Sequence, residues 1–513
     1  MEGRSHSKPG FPPEAGAPDA EGIRTLLRQH GHLGPSRART FLAFPLQVPA
    51  GTGSLVLRLT FTPDRLASLR NLVTLTVFDP GGFRGAAHRH DPDQRVIISG
   101  TEASPGFMPG AIQPGPWMVE LDLHAVLPSL RGGLDYTLEV EAAAEEEQDL
   151  DIGEEVPEGE SVELAAPGAA SRARTSSETT DASPDGWLKG DLHLHSNHSD
   201  GRWSIVDMVE YVRGNALDFV ALTDHNTVSG REELREALAD ARLNVVLIEA
   251  MELTTYWGHA NALGVAEWID WRVAGPDGKP QFIGGSQDAL KTRLMSEAAA
   301  EVRSKGAVFV VNHPRSAGYP FCTGCRWEYG DETVTYASAI EVLNGHWPRK
   351  QNDKALELWD RWLNGGSRIP ATAGSDSHGF TKQPGLLGFT YVHATRDQRS
   401  ILEAVSAGRS YLSRGPSLIW LDPEPSEAIR PEATELTVQV GGLEGGGEMG
   451  NAMDVSLIAG GRRAVTERLT GNGEVHFRIS ADLDARSWYR VELRLAGRKE
   501  LLALTNPLFP SRM

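Results

Sequence analysis

The sequence predicts a central α/β domain flanked by two β-rich modules, and three observations carry that prediction. From Trp187 to about Pro416, apolar runs of strand length alternate with segments of helical periodicity. This is the pattern of parallel strands joined by crossover helices, in a barrel or an open sheet. From Phe41 to Val140, short apolar or alternating runs are separated by Gly and Pro, and the same strand-and-turn pattern returns after Ser417. A chain of 513 residues has room for several domains.

Residues 1–38 are rich in Pro, Gly and Ala and are expected to form a disordered tail. In 39–140 the runs Ser54–Thr60, Leu72–Phe78, Val96–Ser99, Met118–Leu123 and Tyr136–Val140 read as strands of a β-sandwich. Residues 141–186 read as a linker, because Glu141 to Glu163 holds eleven acids with no Lys or Arg and Ala, Ser, Thr and Pro follow. In 187–416 the runs Leu217–Thr223, Val245–Ala250, Ala307–Val311, Ala339–Leu343 and Ala371–Gly374 read as buried strands. Helices are expected over Ser204–Leu217, with Ser204 as cap, over Ala289–Lys305 and over Lys354–Leu363. In 417–513 the runs Glu435–Val440, Val455–Ala459, Glu474–Ile479, Trp488–Leu495 and Leu501–Leu504 suggest a second sandwich.

Composition narrows the function classes. Net charge is −19, and eleven of the acids lie in the linker. No basic stripe is present, which argues against nucleic-acid binding, since neutralising phosphates needs clustered Lys and Arg. No apolar window approaches the length of a membrane span. Two cysteines rule out a disulfide framework, and the opening residues carry no apolar leader, so a cytoplasmic protein is expected.

The chemistry concentrates at strand ends of the central region. His193 and His195 are two apart, so on a strand they share a face and can share a metal ion. Asp200 follows, before a Gly that lets the chain turn back. His225 comes directly after the run Phe219–Leu222, and Glu252 is followed by His259. His313 follows Val308–Val311, and Asp376 with His378 repeats the same-face spacing. A single His in such a place is usually a satisfied polar residue. Six imidazoles and three carboxylates at five strand ends are different, because buried together they need cations to balance them. Mixed nitrogen and oxygen donors suit Zn, Mn or Fe, and nine donors imply two or three divalent ions.

The pattern His193-x-His195-x4-Asp200-Gly201, Thr223-Asp224-His225, Glu252, His259, His313-Pro314 and Asp376-x-His378 resembles the PHP (polymerase and histidinol phosphatase) domain over about 187–416. The run Glu252 to Gly264, with Asn344-Gly345 and Ser413-Arg414-Gly415-Pro416, is similar to the CehA/McbA type within it. The resemblance implies a distorted (β/α)7 barrel with a di- or trinuclear metal site. Its ligands would be His193, His195, Asp200, His225, Glu252, His259, His313, Asp376 and His378. It also implies hydrolysis of phosphoesters or, in some members, of carbamates or aryl esters.

The expected function is therefore a hydrolase that uses metal-activated hydroxide on a small phosphorylated substrate. A carbamate or carboxylic ester hydrolase is the alternative, and a non-enzymatic metal-binding module is a further one. His378 or His346 is expected to give a proton to the leaving group, and Arg315 to grip a phosphate in bidentate fashion. His198 and Asp224 are expected beside the ligands rather than among them, and Glu249 in a structural role. Cys322 and Cys325 read as a structural loop bordering the pocket, and His88 and His90 as a solvated loop. Homo-oligomerisation is left open.

Overall fold

The computed structural model describes residues 22–130, 132–144, 186–277, 293–381, 384–425, 427–430, 433–443, 452–479 and 487–511. Most of the expected linker, residues 145–185, lies outside them.

The N-terminal region is built from two four-stranded antiparallel sheets. One orders Arg24–Leu33, Leu134–Ala144, Thr52–Thr62 and Asp93–Ser99, and the other Thr40–Val48, Gly115–Ala125, Leu72–Asp79 and Gly82–Ala87. Alternation does the work that a half-buried strand requires. Along Leu134–Ala144 the inward residues Leu138 and Val140 join Leu57, Leu59, Val73, Leu75 and Val77 in one core. The expected tail is shorter than residues 1–38, because Arg24–Leu33 is an edge strand paired along Leu134–Ala144. Its sequence, RTLLRQHGHL, is too polar to announce a strand; the neighbour's ladder supplies the order. The same pairing carries the sandwich four residues past the expected end at Val140.

The central region is mixed α/β, but among the described residues its strands do not close into one barrel. Trp187–Asp191 runs parallel to Phe219–Ala221, which runs parallel to Val246–Ile248. A separate five-stranded sheet orders Ala250–Thr254, His259–Leu263, Val308–Val311, Ala339–Asn344 and Ala371–Gly374. Isolated bridges join the two sheets, Leu194 with Ser377 and His225 with Glu252, and Thr390 and Asn506 hydrogen-bond Ala373 and Ala371 across them. Asn226, His313 and Asp376 have φ of 56°, 27° and 49°, so the chain leaves extended geometry just where the ligand residues stand.

The expected boundary at 416/417 is also crossed. Trp187–Asp191 pairs with Phe389–His393, and the sheet continues through Ser410–Ser413, Leu501–Thr505, Tyr489–Leu495, Met453–Ala459 and Arg462–Leu469, nine strands in all. A three-stranded sheet, Ser417–Asp422, Glu435–Gly441 and Gly473–Arg478, packs on its C-terminal part around Trp420, Val438, Phe477, Val455 and Val491. Helix Ile205–Gly214 starts in a capping box between Ser204 and Asp207 and buries Ile205, Met208, Val209 and Val212. Helices Arg231–Asp240, which buries Leu234 and Leu238, and Gln398–Ala407, which buries Ile401, Leu402, Ala404 and Val405, also belong to the central region. No helix among the described residues is long and apolar enough to cross a membrane.

The N-terminal sandwich is joined to the central region through polar groups. Arg272 donates to both oxygens of Asp270 at 2.8 Å and to Glu120 of the sandwich at 2.7 Å, and it lies over the Phe78 ring. Tyr256 donates to the Thr40 carbonyl at 2.7 Å, and Thr323 to that of His124 at 2.8 Å. Arg272→Ala would leave the buried Glu120 carboxylate without its cation. The expected loss is about 3 kcal/mol, the lower end for breaking a buried pair, because the Arg272 side chain is 22% exposed. Denaturant unfolding measures it. A loss below about 1 kcal/mol, the value of a surface pair, would contradict this account of the interface.

Candidate metal centre

The bridges that join the two sheets gather the polar residues into one place. The backbone N–H of Asp376 donates to the His193 carbonyl at 2.7 Å, and that of His195 to the Ser377 carbonyl at 3.0 Å. The N–H of Asn226 donates to the Glu252 carbonyl at 2.9 Å. The nine candidate ligands from five strand ends therefore share one buried cluster.

Glu252 is its hub. Its Oε2 lies 2.8 Å from His225 Nδ1 and 3.4 Å from Nε2 of both His193 and His195. Its Oε1 lies 3.3 Å from His259 Nδ1 and 3.4 Å from His313 Nε2. Asp376 Oδ1 is 3.2 Å from His195 Nε2 and 3.5 Å from His193 Nε2. Asp200 Oδ1 is 3.1 Å from His378 Nε2 and 3.5 Å from His225 Nε2. Sets of donor atoms lie within 4.8 Å of one another in His195–Asp200–His225–His378, His193–His313–Asp376, His193–His195–Glu252 and His225–Glu252–His259.

Outer partners set the ring orientations. Glu341 Oε1 faces His193 Nδ1 at 3.0 Å, and its Oε2 accepts from the His313 backbone N–H at 2.9 Å. The Thr323 carbonyl lies 3.0 Å from His259 Nε2, and the Cys325 carbonyl 3.0 Å from His313 Nδ1. The Asp376 carbonyl is 2.9 Å from His378 Nδ1. In each case the outer nitrogen is engaged and the inner one points at a carboxylate, the arrangement that fixes a metal-binding tautomer. Asn312 donates to Glu252 Oε1 at 2.8 Å, and Asn344 to Asp376 Oδ2 at 3.1 Å.

The residues fit divalent cations. His193 Nε2, both nitrogens of His195, His259 Nδ1, Glu252 Oε2 and Asp200 Oδ1 are buried without a hydrogen-bond partner. Unpaired buried atoms of this kind are costly unless an ion engages them. Burial alone would raise the Glu252 and Asp376 carboxyls, yet the adjacent imidazoles, His193 first, hold both well below the usual range. Burial opposes charge on His378, but Asp200 and then Asp376 push it up to about 10. Burial, then His225 and His378, push His195 down to about 4.

Other expected residues are placed differently. His346 Nε2 faces Thr381 Oγ1 at 2.7 Å, and Arg315 has Arg361, Asp331 and Arg326 as charged neighbours. Neither is among the described residues that line the cavity over the cluster. The backbone turns at His313, with φ of 27°, and Arg315 bridges Arg326 rather than facing the cavity. Arg202 and Arg70 line that cavity instead. Asp224 accepts from Ser196 and Ser199, with contacts from 2.6 to 2.8 Å, so it holds the loop and not a ligand ring. His198 faces Ser229 and Glu233, and Glu249 pairs with Arg235 on the outside. Cys322 and Cys325 are joined by a disulfide and border the cavity, in the loop whose carbonyls face His259 and His313. His88 is buried against His225, ring centres 4.6 Å apart, and is not a solvated residue. Glu341 was passed over, although a lone Glu inside the apolar run Ala339–Leu343 is itself the signal of a buried polar role.

Glu341→Gln keeps the shape and removes the charge behind His193. It should weaken metal binding by about 10- to 100-fold, the usual cost of losing such a partner. Competition with a chelator measures it, and an unchanged affinity would contradict the orienting role.

Comparison with known proteins gives partial matches. Over 69 residues the chain is 35% identical to a 5'-3' exoribonuclease of Haemophilus influenzae, covering 14% of this chain and 24% of that protein. Over 79 residues it is 33% identical to a 3',5'-nucleoside bisphosphate phosphatase of Chromobacterium violaceum, covering 15% and 27%. The chain thus spans about a quarter of the length of these curated relatives. A solved two-domain protein of Bacteroides vulgatus, described as containing a predicted PHP-like metal-dependent phosphoesterase, is 18% identical, with a TM-score of 0.37 over 66% of this chain and 100% of that one. Residues 191–267, which carry His193, His195, Asp200, His225, Glu252 and His259, match the PHP domain family model.

Proposed function

We propose that the protein is a metal-dependent phosphoesterase acting on a small phosphorylated molecule. The observation that carries this reading is the convergence of six imidazoles and three carboxylates beneath a cavity of about 800 Å³ whose wall carries Arg70 and Arg202. The matched phosphatase and the PHP-domain match favour the same chemistry.

His193, His195, Asp200, His225, Glu252, His259, His313, Asp376 and His378 would hold two or three divalent ions. Bound there, such ions supply positive charge and a more acidic water. The chain does the rest. Arg202, whose backbone N–H donates to the His378 carbonyl at 2.7 Å, stands beside the cluster and can hold phosphoryl oxygens. Arg70 reaches in from the sandwich. Asp376 and Asp200 anchor His378, which lines the cavity. The rim is apolar: Phe321 and Phe380 are 76% and 61% exposed there, beside Leu69 and Leu72. Polar floor and apolar rim suit a phosphoester with a planar or apolar leaving group.

The test compares kcat/KM for 4-nitrophenyl phosphate, bis(4-nitrophenyl) phosphate and 4-nitrophenyl acetate. Wild type should prefer a phosphoester and lose activity to a chelator. A charged hydrogen bond is worth about 1.5–3 kcal/mol, so Arg202→Ala should cost roughly 10- to 150-fold on phosphoesters and far less on the acetate. Arg315→Ala should cost little on any of them. A wild-type preference for the acetate would favour the carboxylic ester or carbamate reading, and equal losses on all substrates would remove Arg202 from phosphate recognition.

A further inference from the structure

The N-terminal sandwich brings two histidines to the metal centre. His88 and His90 follow strand Gly82–Ala87, at the same two-residue spacing as His193 and His195. Donor atoms of His88, His90 and Asp200 lie within 4.8 Å of one another. His90 Nε2 is 3.7 Å from Asp200 Oδ2, the carboxylate oxygen not turned toward His378 and His225. Both histidines line the cavity.

Two further facts separate this cluster from a chance group of polar residues. His88 is only 7% exposed, and its Nδ1 is buried with no hydrogen-bond partner. A neutral, satisfied histidine would have found one. The segment is also fixed against the central region. Arg89, between the two histidines, donates to the Pro105 carbonyl and at 3.4 Å to that of Asn197, inside the His193–Asp200 loop. Thr227 donates to the Gly106 carbonyl at 2.8 Å, two residues from His225. Gly106, at φ 93°, admits no side chain, since a Cβ would lie 2.5 Å from the Ala86 carbonyl oxygen and 2.9 Å from that of His198. The sandwich is thus held in close contact with the loops that carry Asp200 and His225.

We propose that His88, His90 and Asp200 form an additional divalent-cation position, with Asp200 shared between it and the main cluster. Two imidazoles and a carboxylate suit Zn, Mn or Fe. The position is open on the cavity side, where His90 has a side chain 49% exposed, so a substrate oxygen can complete the coordination. In this arrangement the sandwich is part of the active site rather than an appendage.

The inference rests on the metal-dependent reading above, and the following measurement separates the two. The full chain is equilibrated with buffered free Zn2+, or in parallel Mn2+, and bound metal is counted by elemental analysis for wild type, His90→Ala and His88→Gln. His90 is half exposed, so its replacement should leave the fold intact, and circular dichroism checks this; His88→Gln keeps most of the volume of the buried ring. Both variants should bind one ion fewer than wild type at the same free metal. The concentration needed to fill that position should rise by more than about 100-fold, beyond the cost of losing a merely supporting partner. With Co2+ in place of Zn2+, the visible absorption of that site should disappear while the rest remains. Variants that bind as many ions as wild type would overturn the additional position and leave the main centre standing, even if turnover fell. A wild-type chain that binds no ion would overturn both.

Discussion

Everything at the centre of this molecule depends on one buried carboxylate. Glu252 is 0% exposed and has five imidazoles within 3.4 Å of its two oxygens. Removing a carboxylate from water costs several kcal/mol even after relaxation, and that cost is met only if positive charge surrounds it. Protonated histidines can supply some of that charge, but they repel one another. Divalent ions would supply more of it in less space and would engage the unpaired donor atoms as well. The backbone follows the same demand. Just past the strands, at Asn226, His313 and Asp376, the chain takes positive φ beside the ligands.

The second consequence concerns the flanking modules. The C-terminal strands extend the sheet that begins with Trp187–Asp191, so they brace the strand that presents His193 and His195. The N-terminal sandwich closes the other side with Arg70, His88 and His90, and its contact is secured by Arg272, Arg39 and Tyr256. A substrate in the cavity would touch both regions at once. Changes in the sandwich far from the cluster are therefore expected to reach the chemistry through the position of these side chains.

Much of this was legible in the sequence, for identifiable reasons. Same-face spacing at His193/His195 and Asp376/His378, each beside an apolar run, is local information and points to a shared metal. The interior strands were readable because their side chains are buried on both faces. What could not be read depends on partners distant in the chain. Arg24–Leu33 becomes a strand only because Leu134–Ala144 lies beside it. The two-sheet arrangement in place of a barrel depends on pairings distant in the chain, such as that of Trp187–Asp191 with Phe389–His393. His88 looks solvated among Gly, Arg and His until the sandwich is seen docked on His225. Arg315 lies on the loop after His313, and which way that loop carries it is set by the backbone turn at His313 and the bridge to Arg326.

We propose a multinuclear centre organised by Glu252. Anomalous X-ray diffraction from crystals of the metal-loaded protein, collected on both sides of the metal's absorption edge, tests it directly. At least two anomalous peaks are expected within the cluster, each about 2.0–2.2 Å from an oxygen of Glu252 or Asp200, the carboxylate distance for zinc. Absence of any peak there, or a single peak ligated by neither carboxylate, would contradict it.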